Sequence, residues 1–312
     1  MVRIGIIGSD WHLAHLSNLL REIEEFELTG WINDGYNNEN LPLFNGLVTY
    51  PSLDALFQNV DAIAVNSCTP DSISIIIKSL KHFKHVLLMD AQSLTYTDYN
   101  TILKIAEESD VTFYPEFGCF MPESIENFTD CLNDIQYIDI NQTFSLNEGI
   151  CVDGRLSLAL LRNVNFITSF LRANVKKINA NGWGFSEPGA GMLNSKIDFD
   201  NGASANMLLV NSIKPRQVQA VLYGKSETIR INAIDNIFRI SRESLLRGQL
   251  GCTEKIYSAD CSLKNDLRLF LLAMQQSHYG LRSIENKHKS IRITHLIQEK
   301  INHFASISIF YS

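Results

Sequence analysis

The sequence predicts an α/β protein of two domains, a doubly wound parallel sheet at the N-terminus and then an α+β domain with an open, mainly antiparallel sheet. Short apolar runs alternate with helical patterns as far as residue 114, and long polar–apolar alternation replaces this rhythm from about residue 136. A chain of 312 residues with 45% hydrophobic content is also large enough to bury two cores. We place the domains at 1–122 and 123–312.

The first domain opens with a strand, a turn and a helix. Residues 2–8 form a short apolar run that ends in Gly8, and Leu13, Leu16 and Leu19 follow at helical spacing. Repetition of this unit predicts a parallel sheet, because parallel strands need crossover helices and those helices cover both faces. Further strands are predicted at 26–32, 47–50, 61–66, 85–89 and 111–114, with helices at 52–58, at 71–82 and around 102–106.

The second domain is predicted from period-two alternation. Turn residues such as Asn201 and Gly202 separate several of these runs, which indicates antiparallel strands. A helix is predicted over 156–172, and two helices close the chain, the first with Leu267 and Phe270 on its apolar stripe. The strands are predicted at 137–144, 176–185, 192–199, 203–210, 218–223, 227–232 and 237–241.

Composition limits the class of protein. The net charge of −7 is spread along the chain, which excludes the basic footprint of a nucleic-acid-binding protein. The sequence contains neither a basic leader segment nor an apolar run of the ~18 residues that a membrane span requires. The six cysteines lie far apart, unlike the pairs of zinc or redox motifs. We therefore expect a cytoplasmic protein that binds neither nucleic acid nor membranes.

The turn after the first strand is the candidate site for a dinucleotide pyrophosphate. Glycines there let backbone N–H groups and a helix N-terminus face the anion. Of the pattern Gly-x-Gly-x-x-Gly only Gly8 is in register, because Asp10 and Leu13 occupy the other two positions, and a carboxylate beside a pyrophosphate is repulsive unless it is paired. The candidate phosphate-binding residues are Gly8, Ser9, Asp10, Trp11 and His12.

Two further positions complete the candidate cofactor site. Asn33 or Asp34, at the end of the second strand, lies at the distance of the residue that binds the adenosine ribose, and an aspartate there favours NAD over NADP. The alternative is an ordinary turn start after a strand. Ser67 directly follows the strand at 61–66. We predict no metal site, because a metal needs a third well-placed ligand and a rigid frame, and Asp10, His12 and His15 are more typical of a helix start with surface histidines.

Several short stretches, taken in order and spacing, resemble the Gfo/Idh/MocA family over nearly the whole chain. The resemblance implies a Rossmann-like NAD(P)-binding domain and a C-terminal sheet through which two or more subunits associate. The stretches are Ser-Leu-Asp-Ala-Leu at 52–56, Val-Asp-Ala-Ile-Ala-Val at 60–65, Lys-His-Val-Leu at 84–87, Phe-Met-Pro at 120–122, Tyr-Gly-Lys-Ser-Glu-Thr-Ile at 223–229 and Ser-Ile-Glu-Asn at 283–286.

The sequence departs from this family at its catalytic positions. Asp90 stands where an ungapped alignment places the family's catalytic lysine, and Asn165 stands where it places the histidine of a later helix. Asn165 does not titrate, whereas Asp90 and Glu116 are able to accept a proton if burial or mutual proximity raises their pKa values. Asp90, Glu116 and Asn165 are the candidate catalytic residues, and Asp90 is also a candidate contact of the cofactor.

The resemblance implies an NAD- or NADP-dependent oxidoreductase that acts on a sugar-like or small polyol substrate and forms a homodimer or a higher oligomer through its C-terminal sheet. Two alternatives remain open. The first is a non-catalytic relative that serves as a ligand-binding or assembly scaffold, since fold and function separate readily. The second is non-redox acid–base chemistry by Asp90 and Glu116.

Overall fold

The structure is a computed structural model. Its described residues are 1–8, 11–32, 47–66, 71–89, 94–116, 135–145, 152–171, 173–183, 191–212, 217–225, 227–234, 237–246, 249–258 and 260–308. The chain divides into two compact units, of which unit 1 comprises Met1–Gly118 with Leu263–Lys287 and unit 2 comprises Cys119–Ser262 with His288–Ser312. The predicted boundary between residues 122 and 123 lies outside the described residues and stays a prediction.

Unit 1 is built on a parallel sheet with strand order β3-β2-β1-β4-β5-β6. This order confirms the predicted doubly wound α/β domain. The elements are β1 (Val2–Ile7), α1 (Trp11–Glu22), β2 (Phe26–Ile32), β3 (Val48–Thr49), α2 (Leu53–Phe57), β4 (Ala62–Asn66), α3 (Ser72–Lys81), β5 (His85–Met89), α4 (Tyr96–Glu108) and β6 (Phe113–Pro115).

Alternate side chains of the central strands are buried on the two opposite faces of this sheet. On one face, Ile4 and Ile6 of β1 belong to the same buried cluster as Leu16 and Leu20 of α1. On the other face, a Cβ added at Gly5 would lie 2.6 Å from Leu56 Cδ1, so α2 approaches β1 as closely as glycine permits. Every residue of β4 is buried, as expected for a central parallel strand covered on both sides.

Two helices close the chain, as predicted, and the first of them packs on the sheet of unit 1. These helices are α6 (Asp260–Met274) and α7 (His278–Ser308). Leu267, Phe270 and Leu271 of α6 belong to the same apolar cluster as the β1 and α1 side chains. A Cβ added at Gly280 would lie 2.2 Å from the Ala273 nitrogen, so the start of α7 packs directly against α6.

Unit 2 contains an eight-stranded sheet with order β14-β13-β12-β11-β7-β10-β9-β8. β7 and β10 run parallel and the other neighbouring pairs run antiparallel, which confirms the predicted open, mainly antiparallel sheet. Its elements are β7 (Ile135–Ser145), α5 (Val152–Phe170), β8 (Val175–Trp183), β9 (Met192–Phe199), β10 (Ser204–Ser212), β11 (Gln217–Gly224), β12 (Glu227–Ile234), β13 (Ile237–Leu246) and β14 (Gln249–Ser258).

One face of this sheet carries the core of unit 2. Ile138 and Ile140 of β7 cluster there with Val164 of α5 and with Ile293 and Ile297 of α7. The residues that alternate with them on β7 point away from this core and are only partly buried. The alternation that predicted these strands therefore reflects a sheet with helices on one face.

Within the described stretches, no helix has both the length and the apolar character that a membrane span needs. In the same stretches, no group of three or more His, Cys, Asp or Glu side chains lies close enough to hold a metal ion.

Candidate functional site

The candidate site lies at the edge of the parallel sheet where its six strands reach their carboxyl ends, which we call the carboxyl edge. The strand ends are Ile7, Ile32, Thr49, Asn66, Met89 and Pro115. Strand order reverses between β1 and β4, because the chain builds β2 and β3 on one side of β1 and β4, β5 and β6 on the other. Open α/β sheets bind ligands in the crevice outside the carboxyl ends at such a switch point.

Gly8 forms the turn between β1 and α1 at this switch point. Its φ of +125° lies in the region that glycine adopts without strain and other residues rarely adopt. Its N–H donates to the carbonyl oxygen of Ile32 at 3.0 Å, which ties the turn to the end of β2. Helix α1 begins at Trp11 and has no acidic residue in its first turn. The first N–H groups of α1 and the helix dipole favour an anion at this end of the helix.

Asn66 and Ser72 are buried polar residues on either side of the next strand-to-helix connection. Asn66, the last residue of β4, is 1% exposed and pairs in register with Met89 of β5. Ser72, the first residue of α3, is 7% exposed, and it follows Asp71, whose φ is +58°. Both polar side chains therefore lie close to the backbone of the carboxyl edge.

Glu116 directly follows β6. Its N–H donates to the carbonyl oxygen of Leu88 at 2.7 Å, which continues the ladder between β5 and β6 by one residue. Its side chain is 7% exposed. Since side chains alternate along a strand, Glu116 points to the same face as Tyr114. Of the three candidate catalytic residues, Glu116 is the one that the structure places at the carboxyl edge.

Below the end of β6 lies a buried polar cluster that sequence reasoning missed. The Tyr114 hydroxyl donates to Asp266 Oδ1 at 2.7 Å and lies 3.1 Å from Ser283 Oγ. Lys287 Nζ lies 3.0 Å from Asp266 Oδ1 and 4.6 Å from the centroid of the Tyr114 ring. Burial raises the pKa of Tyr114 well above its usual value, and the charge of Asp266 raises that pKa further, so the phenol stays protonated and donates.

Asn165 lies in unit 2, on helix α5, with 8% of its surface exposed. Its Oδ1 accepts a hydrogen bond from Ser290 Oγ of α7 at 3.3 Å, and its backbone oxygen accepts from Thr168 Oγ1 at 3.1 Å. The Thr168 and Ser290 hydroxyls lie 2.8 Å apart. The structure therefore brings Asn165 together with polar residues that join α5 to α7, and its catalytic role stays a prediction.

Some candidate residues have no described side chain. Trp11 and His12 occupy the first turn of α1, and only their helical backbone is described. The candidates that lie outside the described residues are Ser9, Asp10, Asn33, Asp34, Ser67 and Asp90. The proposed replacement of the family's lysine by Asp90 therefore stays a prediction.

No protein-family model matches the chain, and no curated protein sequence matches it. Solved structures do match it along nearly its whole length. A UDP-N-acetylglucosamine 3-dehydrogenase from Acidithiobacillus ferrooxidans superposes with a TM-score of 0.78 at 14% identity, over 97% of this chain and 98% of the dehydrogenase.

Two other similar structures contain a bound nucleotide. A biliverdin reductase from Synechocystis, in complex with biliverdin and NADP+, has a TM-score of 0.74 at 15% identity, over 96% of this chain and 99% of the reductase. A 3-ketoreductase from Actinomadura kijaniata, in complex with NADP and TDP-benzene, has a TM-score of 0.75 at 15% identity, over 96% of this chain and 98% of the ketoreductase. The chain therefore has the fold of the Gfo/Idh/MocA-type dehydrogenases and reductases.

Proposed function

We propose that the protein is an NAD(P)-dependent oxidoreductase whose carboxyl edge binds the cofactor. The observation that carries this proposal is Gly8, which lies at the switch point of the sheet with φ of +125°, three positions before α1. A glycine there leaves room for a pyrophosphate near backbone N–H groups, and the carboxylate of Asp10, between Gly8 and α1 in the sequence, would have to be paired or turned away from it. The likeness in fold to two NADP-bound reductases supports the same placement.

Residues around this turn would hold the rest of the cofactor. Ser9, Asp10, Trp11 and His12 continue the phosphate-binding turn from Gly8. Asn33 or Asp34, directly after β2, would bind the adenosine ribose, because β2 is the neighbour of β1 on that side of the switch point. Ser67 and Asp90 directly follow β4 and β5, the strands on the opposite side, and would face the nicotinamide end.

The cofactor would supply hydride transfer, and the chain would supply the proton. Oxidation of a secondary alcohol requires a group that accepts the hydroxyl proton as hydride leaves. Glu116 is a buried carboxylate at the end of β6, and Asp90 follows β5, its neighbour in the sheet. In this proposal one of the two accepts that proton, and Asn165 of unit 2 stays a predicted catalytic residue.

The proposed substrate is a sugar-like molecule or a small polyol. Two of the similar structures are described as a nucleotide-sugar 3-dehydrogenase and a 3-ketoreductase, which supports a ring hydroxyl or ring ketone as the reacting group. A non-redox reaction at Asp90 and Glu116 would use the same carboxylates without a change in the cofactor. Product analysis combined with NADPH absorbance distinguishes the two reactions, since only the redox reaction changes the absorbance of the cofactor.

We further propose that two copies associate through the outer face of the unit 2 sheet. This face opposes the one that carries the helical core, and on β7, β10 and β11 it presents large apolar side chains that are only partly buried. They are Tyr137, Leu208, Val210, Val221 and Tyr223. Tyr223 is 40% exposed, and its ring lies beside that of Tyr137, with 5.9 Å between centroids and the two planes tilted by 33°.

Cofactor titration tests the proposed function. NAD+, NADH, NADP+ and NADPH are each titrated against the full chain, and the readouts are thermal shift and energy transfer from tryptophan to the reduced nicotinamide. Trp31 is suited to this measurement, because it lies one residue before the end of β2 at the carboxyl edge. Saturable binding of at least one cofactor is the expected result, and the absence of both signals for all four overturns the proposal.

A further inference from the structure

The strand that carries Glu116 has little sheet structure of its own to hold it. β6 comprises three residues, Phe113–Pro115, and it is the last strand in the order of the sheet, with β5 as its neighbour. Pro115 has no N–H to donate. Short edge strands with few ladder hydrogen bonds open readily. The position of Glu116 therefore depends on what anchors the side chains of β6.

Two aromatic side chains anchor β6, one on each face of the sheet. Phe113 packs against the ring of Tyr99 from α4, with 5.8 Å between ring centroids. Tyr114, on the other face, is fully buried and lies 5.9 Å from the ring of Phe270 on α6. Tyr114 also has a directional anchor, because its hydroxyl donates to Asp266 and contacts Ser283. A hydrogen bond fixes the direction of a ring in a way that apolar packing does not.

The acceptor of this hydrogen bond is itself held by a buried cation. The Asp266 and Lys287 side chains are 8% and 5% exposed, and their charged atoms are 3.0 Å apart. A buried ion pair is a weak source of stability, because the loss of hydration offsets most of the attraction, and apolar residues of similar size often serve as well or better. The pair does fix Asp266 in one place, since a buried carboxylate without its cation would be strongly unfavourable.

We infer that Tyr114, Asp266 and Lys287 form a positioning network for Glu116. Lys287 holds Asp266, Asp266 holds the hydroxyl of Tyr114, and Tyr114 holds the end of β6 two residues before Glu116. The role of Glu116 in catalysis rests on the proposed function, whereas the control of its position does not. The network acts through Glu116 and touches neither cofactor nor substrate in this proposal, so its members are positioning residues.

The first test compares two buried tyrosines. Tyr114→Phe removes the hydroxyl from the network, and Tyr99→Phe removes a buried hydroxyl of α4, whose ring packs on Phe113 at the opposite face of the sheet. Hydrogen exchange is measured at the Glu116 amide, which donates to Leu88. We expect Tyr114→Phe to speed this exchange about tenfold more than Tyr99→Phe does. Equal exchange rates in the two variants would overturn the inference.

The second test separates positioning from stability. In Asp266→Asn with Lys287→Met, the ion pair is removed but Tyr114 keeps an acceptor, whereas in Asp266→Leu with Lys287→Met the acceptor is lost as well. Both double variants are free of unpaired charge and should fold. We expect the asparagine variant to keep wild-type exchange at Glu116 and the leucine variant to lose protection even if its melting temperature rises. If exchange follows the melting temperature in both, the network has a stabilising role only and the inference fails.

Turnover provides a further readout of the same variants. If the wild-type protein binds NADPH and reduces a substrate, we expect turnover to fall about three- to tenfold in Tyr114→Phe and in the leucine variant, to stay unchanged in the asparagine variant, and NADPH affinity to stay near that of the wild type in all three. Wild-type turnover in Tyr114→Phe and in the leucine variant would overturn the link between the network and the chemistry of Glu116. If the wild-type protein binds no cofactor, the proposed function fails, and hydrogen exchange at Glu116 still decides the inference.

Discussion

Glu116 and Leu88 are joined by a backbone hydrogen bond of 2.7 Å, from the Glu116 N–H to the Leu88 carbonyl oxygen. Leu88 is the penultimate residue of β5, so this bond places Glu116 level with the strand end that precedes Asp90 in the chain. Neighbouring parallel strands thus carry two carboxylates at or just beyond their carboxyl ends. This arrangement is the basis of the proposal that Glu116 or Asp90 accepts the proton.

Replacing Glu116 tests this assignment. Glu116→Gln keeps the shape of the side chain and removes its ability to accept a proton, so turnover should fall about 10²-fold or more while NADPH affinity stays near that of the wild type. Turnover is followed by NADPH absorbance on a panel of free and nucleotide-linked hexoses and their keto forms. Glu107→Gln on the exposed side of α4 is the matched control. Wild-type turnover in Glu116→Gln would exclude Glu116 as the proton acceptor.

A side chain at Gly8 should weaken cofactor binding. Gly8→Ala introduces a Cβ at φ of +125°, and the resulting strain, about 1–3 kcal/mol, would be relieved by moving the turn away from the phosphate position. We expect NADPH to bind at least about tenfold more weakly, as measured by tryptophan-sensitised fluorescence. Gly202→Ala is the control, because Gly202 has φ of +87° and open space around it in unit 2. Equal dissociation constants in the two variants would contradict a phosphate site at Gly8.

Much of the fold could be predicted from the sequence, because strands and helices in an α/β unit have distinct periods. β4 is a continuous apolar run that is buried throughout, and β9 alternates buried and partly exposed residues along its length. β14 was missed. Its residues Cys252, Glu254 and Ile256 lie on one side of the strand and are all exposed. Because polar and apolar residues are mixed on that side, the sequence shows no polar–apolar alternation there. Pairing with β13 along its length makes it a strand.

The site was predictable only in part. Gly8 and Glu116 follow strand ends, and strand ends can be recognised locally from apolar runs. The cluster below Glu116 could not be found this way, because Asp266 lies 152 positions from Tyr114 along the chain. The sequence predicted two closing helices but not their packing on the first sheet. Ser283 and Lys287, four positions apart on one face of α7, are the one local signal for this cluster.

His288 should make stability depend on pH in a defined window. Burial lowers the pKa of His288 from 6.5 to about 4. Between these values the unfolded chain binds a proton that the folded chain excludes, so this contribution is fully present above pH 6.5 and is lost as the pH falls towards 4. The loss amounts to at most about 3 kcal/mol. The free energy of unfolding is measured with urea at about pH 7, 5.5 and 4.5, which span this window. It should decline less with falling pH in His288→Gln than in the wild type.

The control for this measurement is His278→Gln, since His278 is exposed at the start of the same helix. It should follow the wild-type dependence of unfolding free energy on pH. If His288→Gln and His278→Gln lose stability equally between neutral and acidic pH, the buried imidazole is not the titrating group.

A second carboxylate on the outer face of the unit 2 sheet should prevent association of two copies. The carboxylate already on that face, Asp139, lies opposite Val221 on β7 and accepts hydrogen bonds from Asn141 and Asn206. Val221 lies on β11 beside β7, on the face proposed to meet a second copy, and it is partly buried within one chain. In Val221→Asp the dimer would enclose an unpaired charge, so its dissociation constant should rise about 10²-fold or more. Light scattering coupled to size-exclusion chromatography should report a dimer or larger for the wild type and a monomer for the variant. Val48→Asp makes the same change at a residue that is 57% exposed on β3 of unit 1, and it should leave the assembly intact. A monomeric wild type, or a Val221→Asp variant of wild-type size, would remove this face as the interface.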